Sequence, residues 1–251
     1  MNERQQEIRK IINENGEIKL AELEQMFPSL SSMTLRRDLE KLELLGEVVR
    51  IHGGAKSIAY LSRLKEELYS ERAIENVAEK TLIAKKAHKI VEQNLVIYLD
   101  SGTTVTNLAG LLGEDKLFVI TAAPNIALEC AKNPNISVFM TGGQLNRDNL
   151  SLSGINAVSF LDNVNIDIAF MAASGFSFKT SFTCGNYEEC RLKKRVIEKA
   201  GKVVMLMDSS KYGKTLPFTF ADLENVDILI GDDKLDIKFL KEMKKHKIEV
   251  L

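Results

Sequence analysis

The sequence contains no tryptophan, and aromatic residues make up only 6% of its 251 residues. Proteins that bind single-stranded nucleic acids stack the bases on aromatic side chains, so this scarcity argues against such a binding platform. The longest apolar runs, such as residues 203–207, have the length of a strand and fall far short of a membrane span. We therefore expect a globular protein without a membrane partner.

Cysteine and histidine are also scarce. The three cysteines, Cys130, Cys184 and Cys190, form no C-x-x-C pair and cannot all be joined to one another by disulfides. Since the sequence shows no signal peptide, this usage favours reduced thiols and a cytoplasmic location. The three histidines lie far apart along the chain, so neither a metal site nor another cofactor is expected.

The sequence has no excess of either charge. Its net charge is -1, and residues 1–57 also sum to -1, with nine Lys/Arg against ten Asp/Glu. Hydrophobic residues at 45% and charged residues at 27% are ordinary for a globular protein. Bulk charge therefore gives no support to nucleic-acid binding, and such a function depends on where individual cations lie.

One predicted helix near the N-terminus carries the clearest pattern in the chain. Ser31 or Ser32 can cap its first turn, and Gly46 suits the left-handed residue that ends a helix. These signals predict a helix over about residues 32–45. An apolar stripe recurs on it at helical spacing and must pack on a core: Leu35, Leu39 and Leu42.

The other face of this helix is basic near its start. Arg36 and Arg37 lie close to the positive end of the helix dipole, where a cation is slightly unfavourable without an external anion. A DNA-recognition helix presents its N-terminal residues to bases and phosphates in this way. The alternative is a surface helix whose two arginines pair with Asp38 or Glu40. The candidate DNA contacts on this helix are Ser31, Ser32, Thr34, Arg36, Arg37 and Lys41.

The flanking segments favour the DNA-binding interpretation. Residues 4–15 and 20–27 read as two further short helices, which completes a helix-turn-helix core. Residues 47–54 alternate like a strand and end in a double glycine, which indicates a β-wing. Arg50 and Lys56 stand where such a wing would meet phosphates.

This segment resembles the winged helix of the DeoR family of bacterial transcriptional regulators. The family pattern has an N-terminal arginine, a serine, then Thr-Ile/Leu-Arg-Arg-Asp-Leu and Gly-x-Val-x-Arg-x-His-Gly-Gly-Ala. The matching positions are Arg4, Ser31, residues 34–39 and residues 46–55. The resemblance implies binding to double-stranded operator DNA, and it adds His52 of the wing motif to the candidate DNA contacts.

The stretch after the wing is charged and has a helical composition. We interpret residues 58–80 as a helical linker that also contacts a second subunit; the alternative is a solvated helix. A single winged helix without excess positive charge should bind DNA weakly, so a homo-oligomer, dimer or tetramer, is expected. The predicted domains are therefore a winged helix at residues 1–57 and an α/β effector domain at residues 81–251. The resemblance implies effector binding by Arg72 and Lys80.

Beyond residue 81, apolar strands alternate with helices. This order predicts an α/β domain with a mostly parallel sheet that is covered on both faces. The predicted strands are residues 95–99, 117–120, 137–140, 166–172, 203–207 and 228–230. The predicted helices are residues 83–94, 104–112, 125–132, 157–161, 187–200 and 235–246.

Small polar residues follow several of these strands, where open α/β sheets bind ligands. The first strand runs through an Asp-Ser-Gly-Thr-Thr turn into a helix, whose free N–H groups and hydroxyls suit an anion; the alternative is a plain helix cap. Lys211 could neutralise a phosphate. Together these strand ends predict a pocket for a phosphorylated or polyhydroxylated ligand. The candidate residues are Asp100, Ser101, Gly102, Thr103, Thr104, Thr121, Gly142, Gly143, Gly185, Asp208 and Lys211.

The same motifs resemble the DeoR effector domain, which is similar to ribose-5-phosphate isomerase. The resemblance implies a sugar-phosphate-sensing domain and a repressor of a sugar or carbohydrate metabolism operon. One position departs from the family, which usually has Thr-Asn after the second strand. Here Ala122 and Ala123 follow Thr121, with Asn125 two places further on, so the effector is expected to differ if the asparagine reads a hydroxyl.

Two other functions are alternatives. A sugar-phosphate isomerase fused to a DNA-binding domain would need a general base and acidic partners. The expected acidic stretch is absent from residues 172–176, and the base position falls on Lys193, or on Glu189 if the alignment slips. A sensor that retains binding groups but lacks catalytic acids fits better, so the protein is not expected to be an enzyme. A module that only oligomerises would show no ligand-induced thermal shift.

Overall fold

A computed structural model describes residues 1–51, 53–57 and 67–251, and in it the chain divides into two units, Met1–Lys65 and Glu66–Leu251. Among the described residues, no helix is both long enough and apolar enough to cross a membrane. Each unit has its own hydrophobic core, because the buried apolar residues of residues 1–57 form a cluster separate from those of residues 67–251.

The first unit is a winged helix-turn-helix, as the sequence predicts. Its helices are α1 (Glu3–Asn15), α2 (Leu20–Met26) and α3 (Ser32–Leu44). Its strands are β1 (Glu17–Lys19), β2 (Val48–Ile51) and β3 (Gly54–Ser57), which form an antiparallel sheet in the order β1-β3-β2. The predicted leucine stripe of α3 is buried against α1 and α2, so the basic face of α3 is left at the surface.

The second unit contains a sheet of seven parallel strands in the order β15-β14-β12-β9-β4-β5-β6. These strands are β4 (Val96–Leu99), β5 (Leu117–Thr121), β6 (Ile136–Met140), β9 (Ile166–Ala172), β12 (Ala200–Leu206), β14 (Ile228–Ile230) and β15 (Glu249–Val250). The predicted parallel sheet is therefore confirmed, and its strands match the predicted apolar runs to within a few residues.

Helices cover both faces of this sheet. They are α4 (Tyr69–Ile74), α5 (Val77–His88), α6 (Thr103–Ala109), α7 (Pro124–Cys130), α8 (Ile155–Phe160), α9 (Tyr187–Lys199) and α10 (Ile237–Lys245). The buried residues of α5, α6 and α7 join one core, and those of α8, α9 and α10 join the other. Strands buried on both faces explain why the sequence shows continuous apolar runs rather than alternation.

Two small antiparallel elements were not predicted. One is a hairpin of β7 (Gln144–Asn146) and β8 (Ser151–Ser153), and the other is a sheet of β10 (Gly175–Ser177), β11 (Ser181–Cys184) and β13 (Phe218–Ala221). β1 and β15 were missed as well. These strands have only two to four residues, which is too short for an alternating pattern to emerge from the sequence.

The predicted linker falls partly outside the described residues, which omit residues 58–66. The described remainder, residues 67–80, is packed as part of the second unit. The Tyr69 N–H donates to the Asp148 carbonyl over 2.6 Å, and the side chains of Arg72 and Lys80 are buried. These residues are therefore close enough to the sheet to contribute to a site there.

The strand order identifies where a ligand would enter. The chain adds β5 and β6 on one side of β4, and then returns to place β9 on the other side. The connections leave the carboxyl ends of β4 and β9 in opposite directions, which opens a crevice between them. Asp100 follows β4 and Ala173 follows β9, so the predicted Asp-Ser-Gly-Thr-Thr turn lies at this crevice.

Candidate functional site

The exposed face of α3 carries unpaired cations. Arg36, Arg37 and Lys41 are exposed, and their side chains make no hydrogen bond or ion pair with another described residue. Asp38 and Glu40, the acids proposed as partners in the alternative interpretation, lie instead next to Arg4 and Arg50, which are outside α3. A helix that leaves these charges unpaired at its surface is suited to bind an anion such as DNA.

Asp38 ties α3 to α1 instead of pairing with its neighbours. It is 2% exposed, and its carboxylate accepts from Arg4 Nε at 2.6 Å, from Arg4 Nη2 at 3.0 Å and from Gln5 Nε2 at 2.9 Å. The hydrogen bond from Arg4 to this carboxylate raises the pKa of the guanidinium. Arg4, the arginine that begins the predicted motif, thus holds α3 against α1.

The serine and threonine at the start of α3 form its cap. Ser31 Oγ accepts from the Thr34 N–H at 3.2 Å and lies 3.0 Å from Thr34 Oγ1. Ser32 is exposed in the first turn. Ser31 and Thr34, two of the predicted DNA contacts, therefore stabilise the start of α3. Both hydroxyls lie at the same end of the helix as Arg36.

The described cations of the wing are paired with surface carboxylates. Arg50 Nε lies 2.7 Å from Glu43 Oε2, and the Arg50 N–H donates to Glu43 Oε1 at 3.0 Å. These bonds from the backbone and side chain of Arg50 lower the pKa of Glu43. Lys56 Nζ lies 3.1 Å from Glu17 Oε2, while His52 falls outside the described residues. A DNA phosphate would have to replace these carboxylates.

In the second unit, a group of buried cations lies beyond the end of β12. Lys211 ends a short 3-10 turn, Ser209–Lys211, whose start is capped by Asp208 through the Ser210 N–H at 3.1 Å. Lys211 is 8% exposed, and its ammonium has no hydrogen-bond or ion-pair partner among the described residues. An ammonium without a hydrogen-bond or ion-pair partner is available to bind an anionic ligand.

Lys80 and Arg72 bring two further positive charges to this place. Burial, followed by the positive charge of Lys211, lowers the pKa of Lys80, and Arg72 adds to the effect. The Lys80 ammonium donates to the carbonyl oxygens of Arg72 and Glu75, the latter at 2.7 Å. The structure thus brings together three predicted effector-binding residues from distant parts of the sequence. We call Arg72, Lys80 and Lys211 the cationic cluster.

An amide anchors the helices α4 and α5 to the same turn. Asn76, between the two helices, donates from Nδ2 to Ser210 Oγ at 3.2 Å, and the Ser210 hydroxyl donates to Asp208. Neither Asn76 nor Ser210 was predicted as a site residue. The signal was weak, because an isolated asparagine between two helices reads as an ordinary turn residue.

The turn after β4 offers hydroxyl and backbone donors. Ser101, Thr103 and Thr104 are buried, and their hydroxyls make no hydrogen bond with another described residue. Gly102 has a φ of 154°, and a Cβ there would lie 2.9 Å from the Ala172 Cβ, so only glycine fits. One strand separates β4 from β12, a distance of about 10 Å between strand axes. A small ligand can therefore span this turn and Lys211.

Asp100 belongs to a buried charged network that the sequence did not predict. The Lys193 ammonium donates a hydrogen bond to the Asp100 carboxylate and another to the Ala172 carbonyl at 3.0 Å. It also lies 3.2 Å from Glu189 Oε1. Asp100 Oδ2 also accepts from the Ala172 N–H at 2.9 Å, and Asn149 donates its amide to Glu189. Asp100 and Glu189 are thus committed to internal partners, and we call Asp100, Lys193 and Glu189 the buried triad.

The buried triad keeps Lys193 charged. Burial lowers the pKa of Lys193, but the Asp100 and Glu189 carboxylates outweigh it, so the pKa lies above its ordinary value. A lysine that stays protonated cannot accept a proton at neutral pH. Of the two positions predicted for the base of an isomerase, Lys193 therefore carries a positive charge and Glu189 is paired with it.

We expect Lys193→Met to destabilise the protein strongly. The substitution leaves two buried carboxylates without their counter-ion, a change that typically costs about 3–5 kcal/mol. In the wild type, the raised pKa of Lys193 keeps its ammonium protonated between pH 5 and 8. Its contribution to the free energy of unfolding is therefore constant over this range. In the variant, protonation of either carboxylate relieves the repulsion, so its stability should rise as the pH falls.

Thermal melts of both proteins at pH 5 and pH 7.5 measure this effect. The matched control is Lys194→Met, since Lys194 is the exposed neighbour on the same helix. A Lys193→Met protein as stable as the control, or one equally destabilised at both pH values, would contradict the assignment of the triad.

The other predicted effector residues lie apart from the cationic cluster. Thr121 is fully buried, and its hydroxyl donates to the Leu99 carbonyl at 2.7 Å and accepts from the Ala123 N–H at 3.0 Å. Gly143 follows β6, four strands and about 19 Å from β12. A Cβ there would overlap the Ser153 carbonyl, so this glycine allows the β7–β8 hairpin to pack.

Two further predicted glycines lie in turns. Gly142 has a φ of 70° and open space around it, at the end of the edge strand β6. Gly185 precedes Asn186, whose side chain caps α9 by accepting from the Glu189 N–H at 3.0 Å. The positive φ of Gly142 accounts for a glycine at that position, whereas Gly185 is placed only by its position directly before the cap of α9. Among the described residues, no group of three or more His, Cys, Asp or Glu side chains could hold a metal ion.

A winged helix-turn-helix unit followed by a parallel α/β unit defines a two-domain DNA-binding regulator. Residues 4–60 match the family model of the DeoR-like helix-turn-helix domain, and residues 75–233 match that of the DeoR C terminal sensor domain. The chain belongs to the DeoR family of transcriptional regulators. Its first domain implies DNA binding, and its sensor domain implies a small-molecule effector.

Two relatives are similar in sequence to this chain over almost their whole length. The chain is 35% identical to the HTH-type transcriptional regulator GolR of Listeria innocua, over 96% of this chain and 94% of that protein. It is 33% identical to the lactose phosphotransferase system repressor of Streptococcus mutans, over 98% of each. A solved ribose 5-phosphate isomerase A of Methanocaldococcus jannaschii matches 56% of each chain, with a TM-score of 0.42 and 24% identity.

Proposed function

We propose that this regulator represses a sugar-utilisation operon and that a phosphorylated sugar or a related metabolite controls it. Its winged helix binds double-stranded operator DNA through the start of α3 and the wing. Its α/β unit binds the effector at the crevice beside β4. The name of the lactose phosphotransferase system repressor, a relative over the full length, supports the link to sugar metabolism.

The observation that carries the proposal is the unpaired ammonium of Lys211 within the cationic cluster. Three cations converge, with the Asp208 and Glu75 carboxylates close to Lys80, and Lys211 itself has no side-chain hydrogen bond or ion pair with another described residue. Phosphate is the anion that such a cluster suits, because its oxygens accept several charge-assisted hydrogen bonds. The unbonded hydroxyls of Ser101, Thr103 and Thr104 supply further donors for phosphate or sugar oxygens.

The buried triad supports sensing rather than catalysis. An isomerase has to move a proton between neighbouring carbon atoms, which requires a base within reach of the substrate. Lys193 is protonated, and Glu189 is held by Lys193 and Asn149. The same crevice that would hold a substrate therefore lacks a free base among these groups.

A thermal-shift screen tests the proposal. Sugar phosphates and their unphosphorylated parents are added at equal concentration, and each hit is added to the protein bound to DNA. The DNA is a duplex selected with the protein from a random-sequence pool. Ligand at about 100 times its dissociation constant stabilises a protein by about 2.7 kcal/mol, which a melt detects readily.

We expect a phosphorylated sugar to raise the melting temperature and its unphosphorylated parent to leave it unchanged. The same compound should release the selected duplex. If no phosphorylated compound shifts the melt, the effector class is wrong. If NMR shows conversion of a sugar phosphate into its isomer, the protein is an enzyme.

A further inference from the structure

The two edges of the seven-stranded sheet differ in how they are protected. Exposed sheet edges offer unpaired N–H and C=O groups, and monomeric proteins blunt them with short strands or charged residues. β15 follows this rule, since it has two residues and one of them is Glu249. β6 does not: its five residues, Ile-Ser-Val-Phe-Met, carry no charge, and β5 is its only strand partner among the described residues.

The side chains along β6 are apolar and accessible. Phe139 is 48% exposed and Met140 is 40% exposed, and as neighbours in a strand they lie on opposite faces of the sheet. On β5, Phe118 is 45% exposed and pairs with Ser137, while Ile120 pairs with Phe139. This register places Phe118 and Phe139 on the same face as diagonal neighbours. The edge therefore presents apolar surface next to its free backbone groups.

The sequence around this edge lacks charge altogether. No Asp, Glu, Lys, Arg or His occurs in residues 133–146, in a chain in which 27% of the residues are charged. Charged residues are depleted at the centre of protein interfaces. Near a two-fold axis each residue faces its own copy, so any charge there would meet an identical charge. An uncharged strip is electrostatically complementary to itself, which favours a second copy of this chain over a charged partner.

We propose that β6 is the docking edge for a second copy of this chain. The two β6 strands pair antiparallel about a two-fold axis, and the two seven-stranded sheets become one continuous sheet. Phe139 and Phe118 of each copy cover the junction on one face, and Met140 covers it on the other. The pairing supplies two winged helices in one assembly, which binding to repeated half-sites requires. It uses no residue of the effector crevice and stands independently of the proposed function.

Charge substitutions at Phe139 test both whether β6 forms the interface and whether a two-fold axis relates the two copies. Phe139→Glu and Phe139→Lys each place like charges opposite one another in the dimer, whereas an equimolar mixture places opposite charges there. The wild type, each variant and the mixture are compared by sedimentation velocity and light scattering at several micromolar concentrations. The control is Leu128→Glu, which adds the same charge at a 72% exposed position of α7, and circular dichroism confirms that each variant is folded.

We expect the wild type and the Leu128→Glu control to be dimeric or larger. Each Phe139 variant alone should raise the dissociation constant at least tenfold, and the mixture should recover association. Met140→Glu, on the opposite face, should weaken association in the same way even if Phe139 variants fold poorly. A monomeric wild type would show that the edge does not pair with a second copy and would overturn the proposal. Variants that associate like the wild type, or a mixture that does not recover association, would overturn it too.

Discussion

Replacing Arg36 and Arg37 together with alanine is expected to remove specific operator binding while leaving the fold intact. Both guanidiniums are exposed at the start of α3 and unpaired among the described residues, so their removal breaks no internal interaction. Losing a bidentate hydrogen bond to a base costs about 1–3 kcal/mol, or roughly fivefold to 150-fold in affinity for each winged helix. Two winged helices on one operator would double that free-energy loss.

The single variants separate the roles of the two arginines. Removing the one that binds a phosphate should reduce the slope of log affinity against log salt by about 0.9 for each phosphate that is no longer neutralised. Removing the one that reads a base should relax the sequence preference in a repeated selection from random duplexes. Arg147→Ala is the matched control, because Arg147 lies in the other unit, is exposed and makes no side-chain hydrogen bond or ion pair with another described residue. Unchanged affinity in the folded double variant would refute this assignment of the recognition surface.

Lys211→Met is expected to weaken the response to the effector strongly and at the same time to stabilise the ligand-free protein. Methionine has a similar length but no charge, so it removes the repulsion between Lys211 and the neighbouring Lys80 without breaking a side-chain hydrogen bond or ion pair to another described residue. A hydrogen bond to a charged group contributes about 1.5–3 kcal/mol, so affinity for a phosphorylated ligand should fall roughly tenfold to a hundredfold. Gain of stability with loss of ligand is typical of a binding residue.

Thermal melts with and without sugar phosphates measure the stability of the ligand-free protein and its affinity for the ligand. Binding to the selected duplex at increasing effector concentration measures the response to the effector. Ligand-free Lys211→Met should bind the duplex like the wild type and should stay bound at effector concentrations that release the wild type. Lys202→Met is the control, because Lys202 is exposed near the amino end of the same strand, β12, that leads to Lys211. A less stable Lys211→Met protein that still responds to the effector would show that Lys211 is structural.

The sequence by itself determined the elements whose signals are local. The leucine spacing of α3, its serine cap and Gly46 lie within one short segment, so they define the recognition helix without knowledge of the rest. The apolar runs at β4, β9 and β12 likewise reveal a buried parallel sheet, because strands covered on both faces have no polar side. The glycine and hydroxyl residues after these strands could also be recognised, because they follow the apolar runs directly in the sequence.

The tertiary structure alone decided which of those strand ends lie together. Apolar strands are interchangeable by composition, so the sequence does not reveal that β9 separates β4 from β12 or that β6 is an edge. Asp100 and Lys193 are 93 positions apart, and their pairing follows from the way α9 packs beside the ends of β4 and β9. Lys211 reads as a surface lysine in the chain. Its burial beside Lys80 depends on helices that arrive from more than a hundred residues away, and such long-range packing leaves no local pattern in the sequence.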